Sequence, residues 1–130
     1  MEIAINLNKH KNIEEIKKHM IEEADKTGCE FYYFNYELKG KNRSINRNHL
    51  IMTFLLLENE ELIIKFIKKI KKTPNIYIES FGYDNSIYKL MYASKNYLKY
   101  MDDGVVKEYL KNKKNNTLYK QDSPLMKALL

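Results

Sequence analysis

The run LIMTFLLLENEELIIKFIKKIKKTPNIYIESF, residues 50–81, decides how the rest of the chain is read. Leu50 to Leu57 is apolar on both faces apart from Thr53, the pattern of a strand buried in the middle of a sheet. Asn59-Glu60-Glu61 then opens a helix, with a polar cap and two acids against the positive end of the helix dipole. Leu62, Ile63, Phe66, Ile67 and Ile70 form one apolar stripe, while Lys65, Lys68, Lys69, Lys71 and Lys72 take the opposite face and the last turn. Pro74 ends the helix. Asn75 to Phe81 reads as a strand again, followed by the turn formers Gly82-Tyr83-Asp84-Asn85-Ser86. A strand, an amphipathic helix and a second strand in succession call for a sheet that the helix stripe covers.

Toward the N-terminus the same grammar repeats. Met1 to Leu7 alternates around an Ile3-Ile5-Leu7 face and reads as a strand. Asn12 with Glu15 three residues later forms a variant capping box, and Ile13, Ile16, Met20 and Ala24 recur at helical spacing up to the left-handed cap expected at Gly28. Glu30 to Leu38 is crowded with Phe31, Tyr32, Tyr33, Phe34 and Tyr36, residues that suit a pleated surface. Gly40 to Asn48 reads as a polar loop closing a long hairpin with Leu50–Leu57. Toward the C-terminus, Ile87 to Ala93 reads as a return strand at a sheet edge, followed by short helices around Tyr97–Met101 and over Val105–Lys113. Lys111–Asn116 is a polar spacer, and Ser123-Pro124 starts a last helix whose Leu125, Met126, Leu129 and Leu130 share one face.

The expected fold class is α+β. It is a ferredoxin-like βαββαβ antiparallel sheet with two helices on one face, plus an extra edge strand and a C-terminal helical segment. Residues 1–116 are expected to form one domain and 117–130 a tail. That tail packs back over its own sheet or docks as a helix on a partner or sister copy. The 130 residues, 44% hydrophobic and 12% aromatic, suffice for one core without staples. Cys29 is the sole cysteine, so no intrachain disulfide forms. Without a basic n-region at the start or an apolar run near the ~20 residues a membrane helix needs, a cytoplasmic location and no membrane partner are expected.

Few residues fall in patterns that carry chemistry. Cys29, His10, His19 and His49 lie in different elements, and His19 with Glu22 or Glu23 supplies only two ligands at helical spacing, so no metal is expected. Cys29 follows a helix C-terminus, where the dipole disfavours a thiolate. Gly28, Gly40, Gly82 and Gly104 are isolated, and no phosphate-cradling glycine motif occurs, so no cofactor is expected. Glu79 and Asp84 are the one pair that would serve as acid and base if they met in a pocket.

Two partner classes remain. Eleven tyrosines are more than a small domain buries, and tyrosine suits interfaces, so Tyr83, Tyr88, Tyr92, Leu125 and Leu129 are the candidate protein contacts. The expectation is a non-enzymatic protein-binding module that inhibits or regulates another protein, or pairs with a second copy of itself. The alternative is an RNA- or single-stranded-DNA-binding domain using Arg43, Arg47, Lys68, Lys69, Lys71 and Lys72, given the net charge of +6. Against it, only two of the 23 basic residues are arginine, and the expected central strands carry one aromatic, Phe54, where base-stacking sheets carry several.

Overall fold

The computed structural model describes residues 1–7, 12–39, 46–55, 60–82, 90–115 and 124–129. Along the chain lie β1 (Glu2–Asn6), α1 (Ile13–Thr27), β2 (Phe31–Lys39), β3 (Asn46–Phe54), α2 (Glu60–Ile70), β4 (Tyr77–Gly82), β5 (Leu90–Ala93), α3 (Lys95–Leu98), α4 (Asp103–Lys114) and α5 (Pro124–Leu129). The five strands form one sheet in the order β2-β3-β1-β4-β5, and every neighbouring pair is antiparallel. The fold is α+β. Among the described residues no helix is long and apolar enough to cross a membrane.

The helix boundaries follow from capping chemistry. The Asn12 side chain accepts the Glu15 amide at 3.1 Å, and Gly28 takes the left-handed conformation at φ 81° while donating to the Asp25 carbonyl. Beyond α2, Asn75 holds φ 61°, a conformation asparagine tolerates better than most side chains, and this redirects the chain into β4. α1 buries Ile16, Met20 and Ala24, and α2 buries Ile63, Phe66, Ile67 and Ile70. Both stripes meet Ile3, Ile5, Leu50, Met52 and Phe54 in one core, where the Phe54 and Phe66 rings lie 5.3 Å apart. Each large side chain withdrawn there contributes about 1.5–3 kcal/mol.

Three expectations change. β3 begins at Asn46, so Arg47 and Asn48, expected in the loop, belong to a nine-residue strand paired throughout with β2. Cross-strand pairing overrides polar composition there. The polar run from Lys111, expected to be the end of a helix over Val105–Lys113 and the start of a spacer, stays helical to Lys114 as the last turn of α4. The largest change concerns the second face of the sheet, expected to be open. Ala4, His49 and Ile51 alternate away from α1 and α2, yet all are buried. His49 meets the edge of the Tyr97 ring of α3 at 5.9 Å, and Tyr109 of α4 reaches the Ala93 amide of β5. Helices therefore stand on both sides of the central strands. α5 packs on α2, burying Leu125, Met126, Ala128 and Leu129 in the common core, and the Lys71 ammonium donates to the Ala128 carbonyl at 3.0 Å.

Candidate functional site

The register of β1 against β4 runs Ile5 to Ile78 and then Ala4 to Ser80, which leaves Glu79 as an extra residue in a β-bulge. A bulge re-aims the side chain of its unpaired residue. Glu79 is 96% buried and is gripped from two elements (relative exposure 4%). The Asn6 amide of β1 donates to its Oε1 at 2.8 Å, and the Ser94 hydroxyl donates to its Oε2 in a short hydrogen bond. Ser94 in turn caps α3, its oxygen accepting the Tyr97 amide at 3.0 Å, and its own amide donates to the Glu79 carbonyl at 2.8 Å. One hydroxyl thus joins the bulge to the start of a helix.

Glu79 lies in the wall of a cleft of about 540 Å³ between β4, the start of α3 and the end of α5. Ile76, Ile78 and Leu129 give it aliphatic walls, Tyr77 and Tyr92 give it rings, and Lys71 and Asn96 add polar groups. Burial pushes the Tyr92 phenol above its usual value, and the Glu79 carboxylate and the Tyr109 hydroxyl push in the same direction. Tyr92 therefore stays protonated throughout the neutral range. Among the described residues Glu79 forms no ion pair. A carboxylate has about four acceptor positions, and two neutral donors leave room for more. Elsewhere, no three His, Cys, Asp or Glu side chains among the described residues group closely enough to hold a metal ion.

A second feature lies at the opposite margin of the sheet. Among the described residues β2 is an edge strand, paired with β3 alone. Tyr32 is 67% exposed, Tyr33 50% and Phe34 47%, and Leu55 just beyond β3 is exposed beside them. By alternation Tyr32 and Phe34 lie on one face of the strand and Tyr33 on the other. A shallow depression of about 480 Å³ toward α1 adjoins these residues, lined by Ile21, Cys29, Phe31 and Leu55 and by the acids Asp25 and Glu30.

The residues singled out from the sequence scatter across this frame. Tyr92 lines the Glu79 cleft, whereas Tyr83, Tyr88 and Asp84 lie outside the described residues, so the pairing of Glu79 with Asp84 has no described geometry. Leu125 and Leu129 are committed to the core against α2 instead of facing a partner. Arg43 lies outside the described residues, and Arg47 stands in β3 opposite Leu38. Lys68, Lys69, Lys71 and Lys72 are exposed on α2 and the turn after it. Two of them already have protein partners: Lys69 pairs with Glu23 at 2.7 Å, and Lys71 donates to Ala128. Asn6 and Ser94 were not legible as site residues, because they lie 73 and 15 positions from Glu79 and a bulge has no short-range sequence signal. The aromatic run of β2 was legible as strand but not as an exposed edge. No protein-family model, curated protein or solved structure matches the chain.

Proposed function

We propose that the chain is a non-enzymatic protein-binding module, built on a ferredoxin-like βαββαβ frame with β5 added outside β4, and that it takes an extended segment of another protein along β2. The observation that carries this reading is the exposure of Tyr32, Tyr33 and Phe34 on both faces of a nine-residue edge strand. An open edge offers a row of backbone donors and acceptors, and flanking aromatic side chains give a guest strand apolar contact. Natural edges are usually blunted by charge or brevity, and this half of β2 has neither.

The occupant is a different protein rather than a second copy. Symmetric pairing along the whole strand centres on Asn35 and sets Phe31 and Tyr33 across from Lys39 and Glu37. A foreign strand with apolar residues at those positions complements the edge better. The nature of the regulation, an inhibitory clamp or an adaptor, follows from whichever protein supplies that strand.

The test is a display library of extended decapeptides panned on the full chain. Sequences with alternating apolar residues are expected to enrich. Their binding is expected to fall about tenfold or more in the double variant Tyr32→Lys/Phe34→Lys, with its melting temperature little changed because both side chains are on the surface. No enrichment, or equal binding by the variant, sinks the proposal.

A further inference from the structure

We propose that the Glu79 cleft is a binding site for an organic cation, a primary ammonium or guanidinium on an aliphatic stem. It lies two strands and more away from β2, beyond β3 and β1, so it does not rest on the protein-binding reading.

The buried carboxylate is the first reason. A charge removed from water is expensive unless it is paired or fully hydrogen-bonded. Glu79 has one donor on each oxygen, both neutral, and no ion pair among the described residues. The bulge that presents it breaks an otherwise regular pairing of β1 with β4, and bulges recur where a side chain must be aimed at a site. Asn6 and Ser94 fix the carboxylate from two sides, which is the pre-organisation a binding group needs.

The walls are the second reason. Rings of Tyr77 and Tyr92 flank the cleft, and an aromatic face attracts a cation through its quadrupole. Ile76, Ile78 and Leu129 suit an alkyl stem. Tyr92 lines the cleft, and its hydroxyl makes no hydrogen bond among the described residues. About 540 Å³ accommodates a small molecule or one long side chain. The Lys71 ammonium lines the same cleft, but it is held to the Ala128 carbonyl and forms no ion pair with Glu79 among the described residues.

Two sources supply that chemistry, a free amine and a basic side chain of a protein. The full chain is titrated with acetylated, amidated peptide carrying one central arginine, with butylguanidinium, and with neutral 1-pentanol as control, following backbone amide signals by NMR. Saturable shifts at Glu79, Ser94 and Tyr92 are expected with a guanidinium probe and not with pentanol. Binding of butylguanidinium alone assigns the site to a free small-molecule cation, and binding of the peptide assigns it to a protein side chain. Glu79→Gln is expected to weaken binding at least about tenfold, as loss of a buried charge partner does. Tyr77→Ser, on the partly exposed rim, is expected to weaken it about threefold and carries the test if Glu79→Gln fails to fold. Absence of saturable shifts with both guanidinium probes, equal shifts with pentanol, or unchanged affinity in the foldable variants overturns the proposal.

Discussion

Tyr109 is almost completely buried, and its hydroxyl accepts the Ala93 amide at 2.8 Å. Tyr109→Phe keeps the ring and removes the acceptor, leaving a buried N–H without its partner. The expected loss is about 1–3 kcal/mol, read from the urea midpoint at unchanged m-value. A midpoint within error of the parent contradicts that role. The sequence placed Tyr109 on the apolar side of a helix but gave no sign that its hydroxyl served a strand sixteen positions earlier. Glu79 is a similar case. Its strand was legible, whereas its burial depends on a register shift between β1 and β4, which only the folded pairing decides. Local chemistry was easier to read, and Asn12 and Gly28 do as caps what their residue types imply.

Six residues of α5 are too few to hold a helix alone in water, so its existence depends on what it touches. It touches α2, and Leu125 is 2% exposed. Leu125→Ala is expected to destabilise the fold by about 2–5 kcal/mol, measured by chemical denaturation. A cost below about 1 kcal/mol would show that α5 is not part of the cooperative core. The apolar face of this element was visible at Leu125, Met126 and Leu129, but spacing alone left open whether it met its own chain or another. Amphipathic helices otherwise read well, since the stripes of α1 and α2 each face one core. Strands read less well. The polar start of β3 carries no strand signal, and its partner β2 supplies the order. α3 and α4 were expected only as short helices, because two buried tyrosines make a weak period, and their cover over the second face stayed hidden.

The pH response of the whole molecule has an acid limb with a named contributor. Glu23 on α1 meets Lys69 of α2 at 2.7 Å and Lys26 at 3.3 Å. Lys69, the larger influence, holds the Glu23 carboxyl below its usual value of 4.5, with burial opposing and Lys26 assisting. A carboxyl depressed in the folded state binds protons more readily once unfolded. Its contribution is therefore complete above about pH 4.5 and is lost as pH falls through the folded value. Lys69→Met is expected to flatten the decline of melting temperature below that pH, and added salt to shrink the difference, since Lys69 is half exposed. An unchanged acid limb removes the pair from the explanation. On the alkaline side Tyr92 is neutral to stability while both states hold its proton, and its raised phenol lowers stability as pH climbs past the ordinary value of 10. At this scale the two margins of the sheet are also unequal. Among the described residues β2 presents a nine-residue edge and β5 a four-residue one, with the Ala93 amide already occupied by Tyr109. On the function proposed above, a strand added at β2 is therefore expected to give a complex of one guest to one host and not a filament, a stoichiometry that light scattering measures.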